Sequence, residues 1–179
     1  MPARAGFSFS TAQGVTIQVR LLQDDDTNHL INLFEHLGAE SRYNRFHQPL
    51  NHPSEERVRQ GAEQLARVEP EQGVAWIAFA ELDGAAAPIA VARYSRLNDE
   101  QAEPALTVRD EFQGQGIGRT LFNHLIAAAT RDHIRQFIAT IQPGNQAAIR
   151  LVQNAGFPYT QTVEEGQVIV TMDLGEGGE

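Results

Sequence analysis

The sequence contains no cysteine. A disulfide scaffold, a zinc site with cysteine ligands and a thiol nucleophile are therefore excluded. Six histidines remain, but His47, His52, His124 and His133 do not follow the spacing of any metal-binding motif. We expect these histidines to be surface or loop residues, and we expect no metal site.

Positive charge is also scarce. The chain has 14 Lys plus Arg against 23 Asp plus Glu, a formal net charge of -9. Affinity for nucleic acids comes mainly from basic side chains that neutralise phosphates, so no nucleic-acid partner is expected. No apolar run reaches the roughly 18 residues of a membrane span, and the opening residues lack the apolar core of a secretory signal. The sequence therefore predicts a soluble, cytoplasmic protein without a membrane partner.

The length of 179 residues suits one domain with a single core. Residues 1–14 are predicted to form a disordered arm. Residues 175–179 are rich in glycine and acidic residues and are predicted to form a flexible tail. The domain itself is predicted to span residues 15–174.

Hydrophobic patterning predicts a mixed α/β domain with the element order βααβββαβαββ. Asp83-Gly84 and Glu165-Gly166 are expected to turn two β-hairpins, and residues 40–50 are expected to be irregular. Only the strand-helix-strand from Ala102 to Ile141 requires a parallel crossover. The predicted strands cover residues 15–21, 73–82, 88–97, 102–108, 137–141, 159–163 and 168–174, and the predicted helices cover residues 24–37, 54–68, 116–131 and 145–155.

The most informative segment is VRDEFQGQGIGR, residues 108–119, between a predicted strand and a predicted helix. Gly114, Gly116 and Gly118 occupy alternate positions just before the helix. Glycines remove Cβ atoms there and leave backbone N–H groups free to point at an anion, assisted by the helix dipole. The spacing matches neither a Walker A loop nor the dinucleotide fingerprint. Two readings stay open on the glycines alone: a phosphate-binding loop, or a turn that packs helix on strand.

The context of the glycines resembles a known family. Residues 113–118 fit the pattern Q/R-x-x-G-x-G/A, and NQAAIRLVQNAGF at residues 145–157 is similar to a second motif, N-x-x-A followed by GF. Together they resemble the GNAT superfamily of acyl-CoA-dependent N-acyltransferases. The resemblance implies an α/β, single-domain GNAT fold: a mixed, mostly antiparallel sheet with a splayed central parallel strand pair and flanking helices.

The resemblance also implies that acetyl-CoA is the co-substrate. Pyrophosphate would be held by backbone N–H groups of the glycine loop, and the pantetheine arm would bond the backbone of the preceding strand. The cofactor-binding residues expected on this basis are Leu106, Thr107, Val108, Gln113, Gly114, Gln115, Gly116, Ile117, Gly118, Arg119 and Asn145.

A narrower resemblance lies in ESRYNRF (residues 40–46), VARYSR (residues 91–96) and the segment around the glycine loop. These are similar to the catalytic domain of bacterial protein-lysine acetyltransferases that modify acyl-CoA synthetases. The implied acceptor is a primary amine, with a protein lysine as the narrower expectation. Glu103 matches the catalytic glutamate of those domains and is expected to be the general base, while Arg42, Tyr43 and Arg45 are expected to line the acceptor site.

Two positions depart from the family pattern. Val152 stands where many members carry a tyrosine that protonates the departing thiolate, and Pro104 replaces an expected larger apolar residue. Alternatives therefore stay open: a small-amine acetyltransferase acting on polyamines or aminoglycosides, or a non-catalytic acyl-CoA-binding sensor. The sequence leaves the oligomeric state open between monomer and homodimer.

Overall fold

The protein, for which a computed structural model describes residues 6–175, is built on one eight-stranded sheet. Five helices flank it. Among the described residues, no helix is long and apolar enough to cross a membrane. The strands are β1 (Phe7–Ser10), β2 (Thr16–Leu21), β3 (Gly73–Leu82), β4 (Ala85–Arg96), β5 (Gln101–Val108), β6 (Gln136–Ile141), β7 (Tyr159–Glu164) and β8 (Gln167–Asp173). The helices are α1 (Thr27–Glu35), α2 (Ala39–Phe46), α3 (Glu55–Ala66), α4 (Ile117–Arg131) and α5 (Gln146–Gln153).

The strands lie in the order β1-β2-β3-β4-β5-β6-β8-β7. All neighbouring pairs are antiparallel except β5 and β6. Those two strands run parallel and pair at only two positions, Gln101 with Gln136 and Ala102 with Phe137. Beyond these positions they separate, so the predicted splayed parallel pair is confirmed.

Alternate residues of β3 contribute to two cores on opposite faces of the sheet. Trp76 and Ala78 belong to the larger core, which includes the buried face of α4. Ala75 and Ile77 belong to a smaller core beneath α1 and α3. This alternation is the expected consequence of the two-residue period of a strand.

Both predicted hairpin turns are confirmed. Asp83-Gly84 joins β3 to β4 and Glu165-Gly166 joins β7 to β8, with positive φ at all four residues. That is the geometry of the tight turns that match the twist of paired strands. Ser54 caps α3, because its side chain accepts a hydrogen bond from Arg57 N–H.

The predicted disordered arm over residues 1–14 is wrong for residues 7–10, which form β1 and pair with β2. Packing explains the difference. The Phe7 ring meets Trp76 edge-on with centroids 5.7 Å apart and stacks on His124 at 3.8 Å. Residues 1–5 of the predicted arm and residues 176–179 of the predicted tail lie outside the described residues.

The irregular segment predicted over residues 40–50 is also wrong, because α2 occupies most of it. No residue of α2 is fully buried and most of its residues are polar, so hydrophobic patterning alone does not predict this helix. Tertiary contacts hold the helix instead. Asp110 Oδ2 accepts a hydrogen bond from Gly38 N–H at the start of α2, and the Arg42 guanidinium reaches the end of α1.

Candidate active site

The separation of β5 and β6 opens a cleft of about 810 Å³. One wall is β5 from Glu103 to Val108, and the facing wall comprises the end of β6 and the first turns of α5. Gly114 and Gly118 line the same cleft, so the glycine loop and the splayed strands form one continuous site. Pro104 and Val152 lie in the lining as well.

The edge of β5 that faces this cleft has backbone groups without a partner strand. Arg109 N–H donates to Ile89 O, on the β4 side, whereas Glu100 O accepts from Arg135 and Gln136 N–H, on the β6 side. Because backbone polar groups alternate along a strand, Leu106 and Val108 present theirs to the β6 side, where no strand pairs with them in residues 6–175. An extended ligand can add to this edge as a further strand.

The glycine loop at the start of α4 has the backbone geometry of an anion cradle. Gly114 and Gly116 have φ of 74° and 83°, and a Cβ atom at either position would meet no atom within 4 Å. Thr120 N–H bonds back to Gly116 O, so the N–H groups of the three preceding helical residues are left for a ligand. Gly118 plays a packing role, because a Cβ there would lie 3.3 Å from Leu106 Cδ2. The packing reading therefore applies to Gly118, whereas Gly114 and Gly116 leave the open space that a phosphate-binding loop needs.

Several other predicted cofactor-binding residues use their side chains for hydrogen bonds within the protein. Gln113 donates its amide to Val108 O, and Gln115 donates to Glu111 O. Asn145 lines the cleft and caps α5 by accepting from Ala148 N–H at 3.1 Å. Ile117 is buried in the core and Arg119 is exposed.

A second cavity of about 660 Å³ lies on the other side of β5. Its floor is the sheet face formed by alternate residues of two strands, and its roof comes from α1, α3 and the segment after α2. The floor residues are Val91, Arg93 and Ser95 of β4 with Glu103, Ala105 and Thr107 of β5. The two cavities share five lining residues, namely Arg45, Phe46, Glu103, Ala105 and Thr107.

Glu103 is the acidic residue among these five shared residues. It is exposed, and Arg45 and Arg93 provide the nearby positive charge. Burial and the charge of Arg93 lower the pKa of Arg45 and outweigh the opposite effect of the Glu103 carboxylate, and burial lowers the pKa of Arg93. The junction of the two cavities is therefore a partly desolvated point with one carboxylate and two guanidinium groups.

Only one of the three residues predicted to line the acceptor site lines a cavity. Arg45 lies at the junction, but neither cavity is lined by Arg42 or Tyr43. Arg42 donates to Leu50 O and Phe34 O and its guanidinium lies over the Phe34 ring. Tyr43 is 43% exposed.

Arg93, which lines the second cavity beside this junction, was not predicted from the sequence as a site residue. A signal for it exists in VARYSR, where a charged residue stands between Ala92 and Tyr94, both of which are buried. In a strand the intervening residue must point to the opposite face. Without knowledge of what covers that face, this pattern alone does not distinguish a solvated arginine from one in a cavity.

Comparison with known proteins agrees with this geometry. Residues 36–157 match the sequence model of the acetyltransferase (GNAT) family. An acetyltransferase of Pseudomonas aeruginosa is 28% identical over 149 residues, covering 83% of this chain and 78% of that protein. Acetyltransferase Pat of Mycolicibacterium smegmatis is 29% identical over 164 residues, which are 90% of this chain, and the match spans 46% of the longer protein.

Among solved structures, the GNAT domain of S. lividans PAT superposes with a TM-score of 0.81 at 28% identity. The match covers 97% of this chain and 99% of that domain. A cAMP-binding acyltransferase from Mycobacterium smegmatis gives a TM-score of 0.62 at 24% identity over 48% of its length, a likeness of fold alone.

Proposed function

This chain belongs to the acetyltransferase (GNAT) family and is an acyltransferase, and from that premise we propose that it transfers an acetyl group from acetyl-CoA to a primary amine, with Glu103 as general base. The observation that carries the proposal is the meeting of the two cavities at Glu103. A thioester in the cleft and an amine in the second cavity would face each other across this residue.

The cleft suits acetyl-CoA in two respects. The cradle of Gly114 and Gly116 offers unpaired backbone N–H groups and open space for a pyrophosphate. At the edge of β5, the backbone groups of Leu106 and the N–H of Val108 pair with no strand of residues 6–175 and offer main-chain partners for the amide groups of a pantetheine arm. Val108 O already accepts from the Gln113 side chain. Thr107 lines the cleft between them, and Asn145 keeps its amide nitrogen available while its oxygen caps α5.

The reaction requires a base because an alkylamine, with a pKa of about 10.4, is protonated near pH 7. Glu103 takes a proton from the amine, directly or through one water, and the nitrogen then attacks the thioester carbonyl carbon. Backbone N–H groups between Leu106 and Val108 meet the negative charge that develops on the carbonyl oxygen. The attacking nitrogen loses its second proton to water as the C–S bond breaks, and because Val152 cannot donate a proton, the departing thiolate takes one from water.

For the acceptor, the resemblance to protein-lysine acetyltransferases supports a protein lysine. Contacts with a folded partner can orient one ε-amine, whereas free lysine offers few groups beyond the reacting one. We therefore expect kcat/KM for a protein acceptor to exceed that for free lysine. All 14 basic residues of the chain are arginine, so it contains no lysine, and any acetyl-lysine detected after incubation belongs to the acceptor.

The deciding experiment is a thiol-release screen of acetyl-CoA against alkylamines, polyamines, aminoglycosides and purified acyl-CoA synthetases. Amine-dependent release of CoA, with an acetylated product seen by mass spectrometry, supports the proposal. Acetyl-CoA binding without release in the presence of any amine would favour a non-catalytic acyl-CoA sensor instead.

A further inference from the structure

Two arginines face the second cavity beside Glu103. Arg93 pairs with Ala105 while Ser95 pairs with Glu103, so Arg93 and Glu103 are diagonal neighbours on one face of the sheet. Arg45 reaches the same place from α2. In the described part of the chain, no carboxylate oxygen lies within 4 Å of either guanidinium group.

Most donors of these two guanidinium groups are unused. Arg93 donates one hydrogen bond, from Nη1 to Leu65 O at 3.2 Å, and the Arg45 guanidinium lies 5.3 Å from the Phe46 ring centre. A guanidinium group has five N–H donors, and planar carboxylates match its geometry. Burial lowers the pKa of both groups, so an anion that bound here would relieve a cost of desolvation.

Away from Glu103, the cavity is lined mainly by apolar residues, with Arg57 and the amides of Gln48, Gln60 and Gln64 as its polar groups. The side chains that surround the arginines on this side of the sheet include Leu22, Leu30, Val58, Leu65 and Val91. Its volume of about 660 Å³ is within the usual range for small-molecule sites. An occupant that fits this lining carries one anionic group near Glu103 and an apolar group beyond it.

We propose that the second cavity selects an acceptor with a carboxylate beside its primary amine, the carboxylate bound by Arg93 and Arg45 and the amine held at Glu103. This inference rests on the proposed function. The carboxylate has two possible sources with the same chemistry: a free amino acid with an apolar side chain, or an acidic residue next to a protein lysine. Polyamines and aminoglycosides bring only positive charge to two arginines and are disfavoured.

The test compares L-leucine with 3-methylbutylamine, which is leucine without its carboxylate. Arg93→Gln and Arg45→Gln are compared with wild type and with Arg59→Gln, an exposed arginine of α3 outside both cavities. In each protein, kcat/KM for L-leucine is divided by kcat/KM for 3-methylbutylamine. The two amines differ in intrinsic reactivity, but this difference is the same in every protein and cancels when the ratios are compared. We expect the ratio to fall about 10- to 100-fold in the two cavity variants, the scale of hydrogen bonds to a charged group, and to stay unchanged in Arg59→Gln.

A second pair of acceptors identifies the source of the carboxylate. Blocked dipeptides Asp-Lys and Asn-Lys differ only in one acidic group. If Asp-Lys is preferred over Asn-Lys and the preference depends on Arg93, the carboxylate comes from an acidic residue beside a protein lysine. If instead L-leucine is preferred over 3-methylbutylamine and that preference depends on Arg93, the acceptor is a free amino acid. Equal ratios in all four proteins for both pairs overturn the inference.

Calorimetry separates failure of the inference from failure of the proposed function. L-leucine, 3-methylbutylamine and both dipeptides are titrated into protein without acetyl-CoA, and acetyl-CoA is titrated separately. If acetyl-CoA gives no heat, the proposed function is refuted, but the inference about the second cavity is not. Binding of a carboxylate-bearing ligand that weakens in Arg93→Gln supports the charge selection even then, and binding that is equal within each pair overturns it.

Discussion

At the scale of single residues, Glu103 differs from other exposed carboxylates in what surrounds it. Glu81 is also exposed and also lies on a strand, but it lines neither cavity. We predict that Glu103→Gln lowers kcat near neutral pH by about 100-fold or more, the scale of losing a general base, whereas Glu81→Gln leaves it unchanged. Activity of Glu103→Gln should recover in part as pH rises, because the free amine fraction grows. A pH-rate profile identical to wild type would move the base to another group.

The glycine loop allows a second prediction with a matched control. Gly116 and Gly14 have nearly equal φ, 83° and 82°, and neither has an atom within 4 Å of a built Cβ. Placing glutamate at either position costs about 1–2 kcal/mol of backbone strain, but only Gly116→Glu adds bulk and negative charge to the anion cradle. We expect Gly116→Glu to abolish acetyl-CoA binding and Gly14→Glu to retain it, with similar losses of unfolding free energy. Loss of binding in both variants would show that strain alone is responsible.

At the scale of elements, α2 depends on Arg42 for its position and presents Arg45 to the cavities. Arg42 bonds two backbone carbonyls outside α2, at Leu50 and Phe34. We predict that Arg42→Ala lowers the free energy of unfolding by about 1–3 kcal/mol, measured by urea denaturation, because charged hydrogen bonds are lost. Arg45→Ala should instead raise KM for the acceptor with a smaller loss of stability. Arg59→Ala is the control, and equal stability of Arg42→Ala and this control would contradict the structural role.

A second element-scale prediction concerns the junction of β2 with α1. The buried carboxylate of Asp26 accepts two hydrogen bonds of 2.7 Å from Arg20 and one from Gln23 N–H. Burial raises its pKa, but these hydrogen bonds and the positive charge of Arg20 outweigh burial, so the pKa is lowered from 3.8. The stabilising contribution is therefore complete above the unfolded-state value and is lost as pH falls toward the folded-state value.

Urea denaturation between pH 7 and pH 2.5 tests this linkage. Wild type should lose unfolding free energy below about pH 4. Asp26→Asn should be less stable at pH 7 and should show a smaller loss over the same interval. The exposed Asp25→Asn is the control in the same turn, and a decline in Asp26→Asn as steep as in wild type would assign the acid sensitivity to other carboxylates.

At the scale of the whole molecule, the cleft joins elements that are distant in the chain, so a ligand that fills it stabilises the entire fold. Acetyl-CoA or CoA at 100 times its Kd should add about 2.7 kcal/mol by mass action. For a domain of this size that corresponds to a rise in Tm of about 5–10 °C. Differential scanning fluorimetry measures this shift, and Gly116→Glu should show none. No shift and no calorimetric heat in wild type would contradict the cofactor assignment.

The sequence by itself determined the elements whose signals are local. The strand predicted over residues 73–82 and the Asp83-Gly84 and Glu165-Gly166 turns each have their signal in neighbouring residues, and each is observed. The glycine motif could also be recognised from the sequence, because the loop is built by the backbone of consecutive residues. The resemblance then supplied the splayed strand pair, which the structure confirms.

Only the tertiary structure decided features that depend on contacts between distant segments. β1 is ordered because Phe7 packs on Trp76 and His124, and α2 persists without a buried face because Asp110 and Arg42 hold it. Arg93 of β4 and Arg45 of α2 both lie near Glu103 of β5, so three distant segments line one cavity. A sequence pattern reports on which face a side chain stands, whereas charge, burial and selectivity at that face depend on which distant segments cover it.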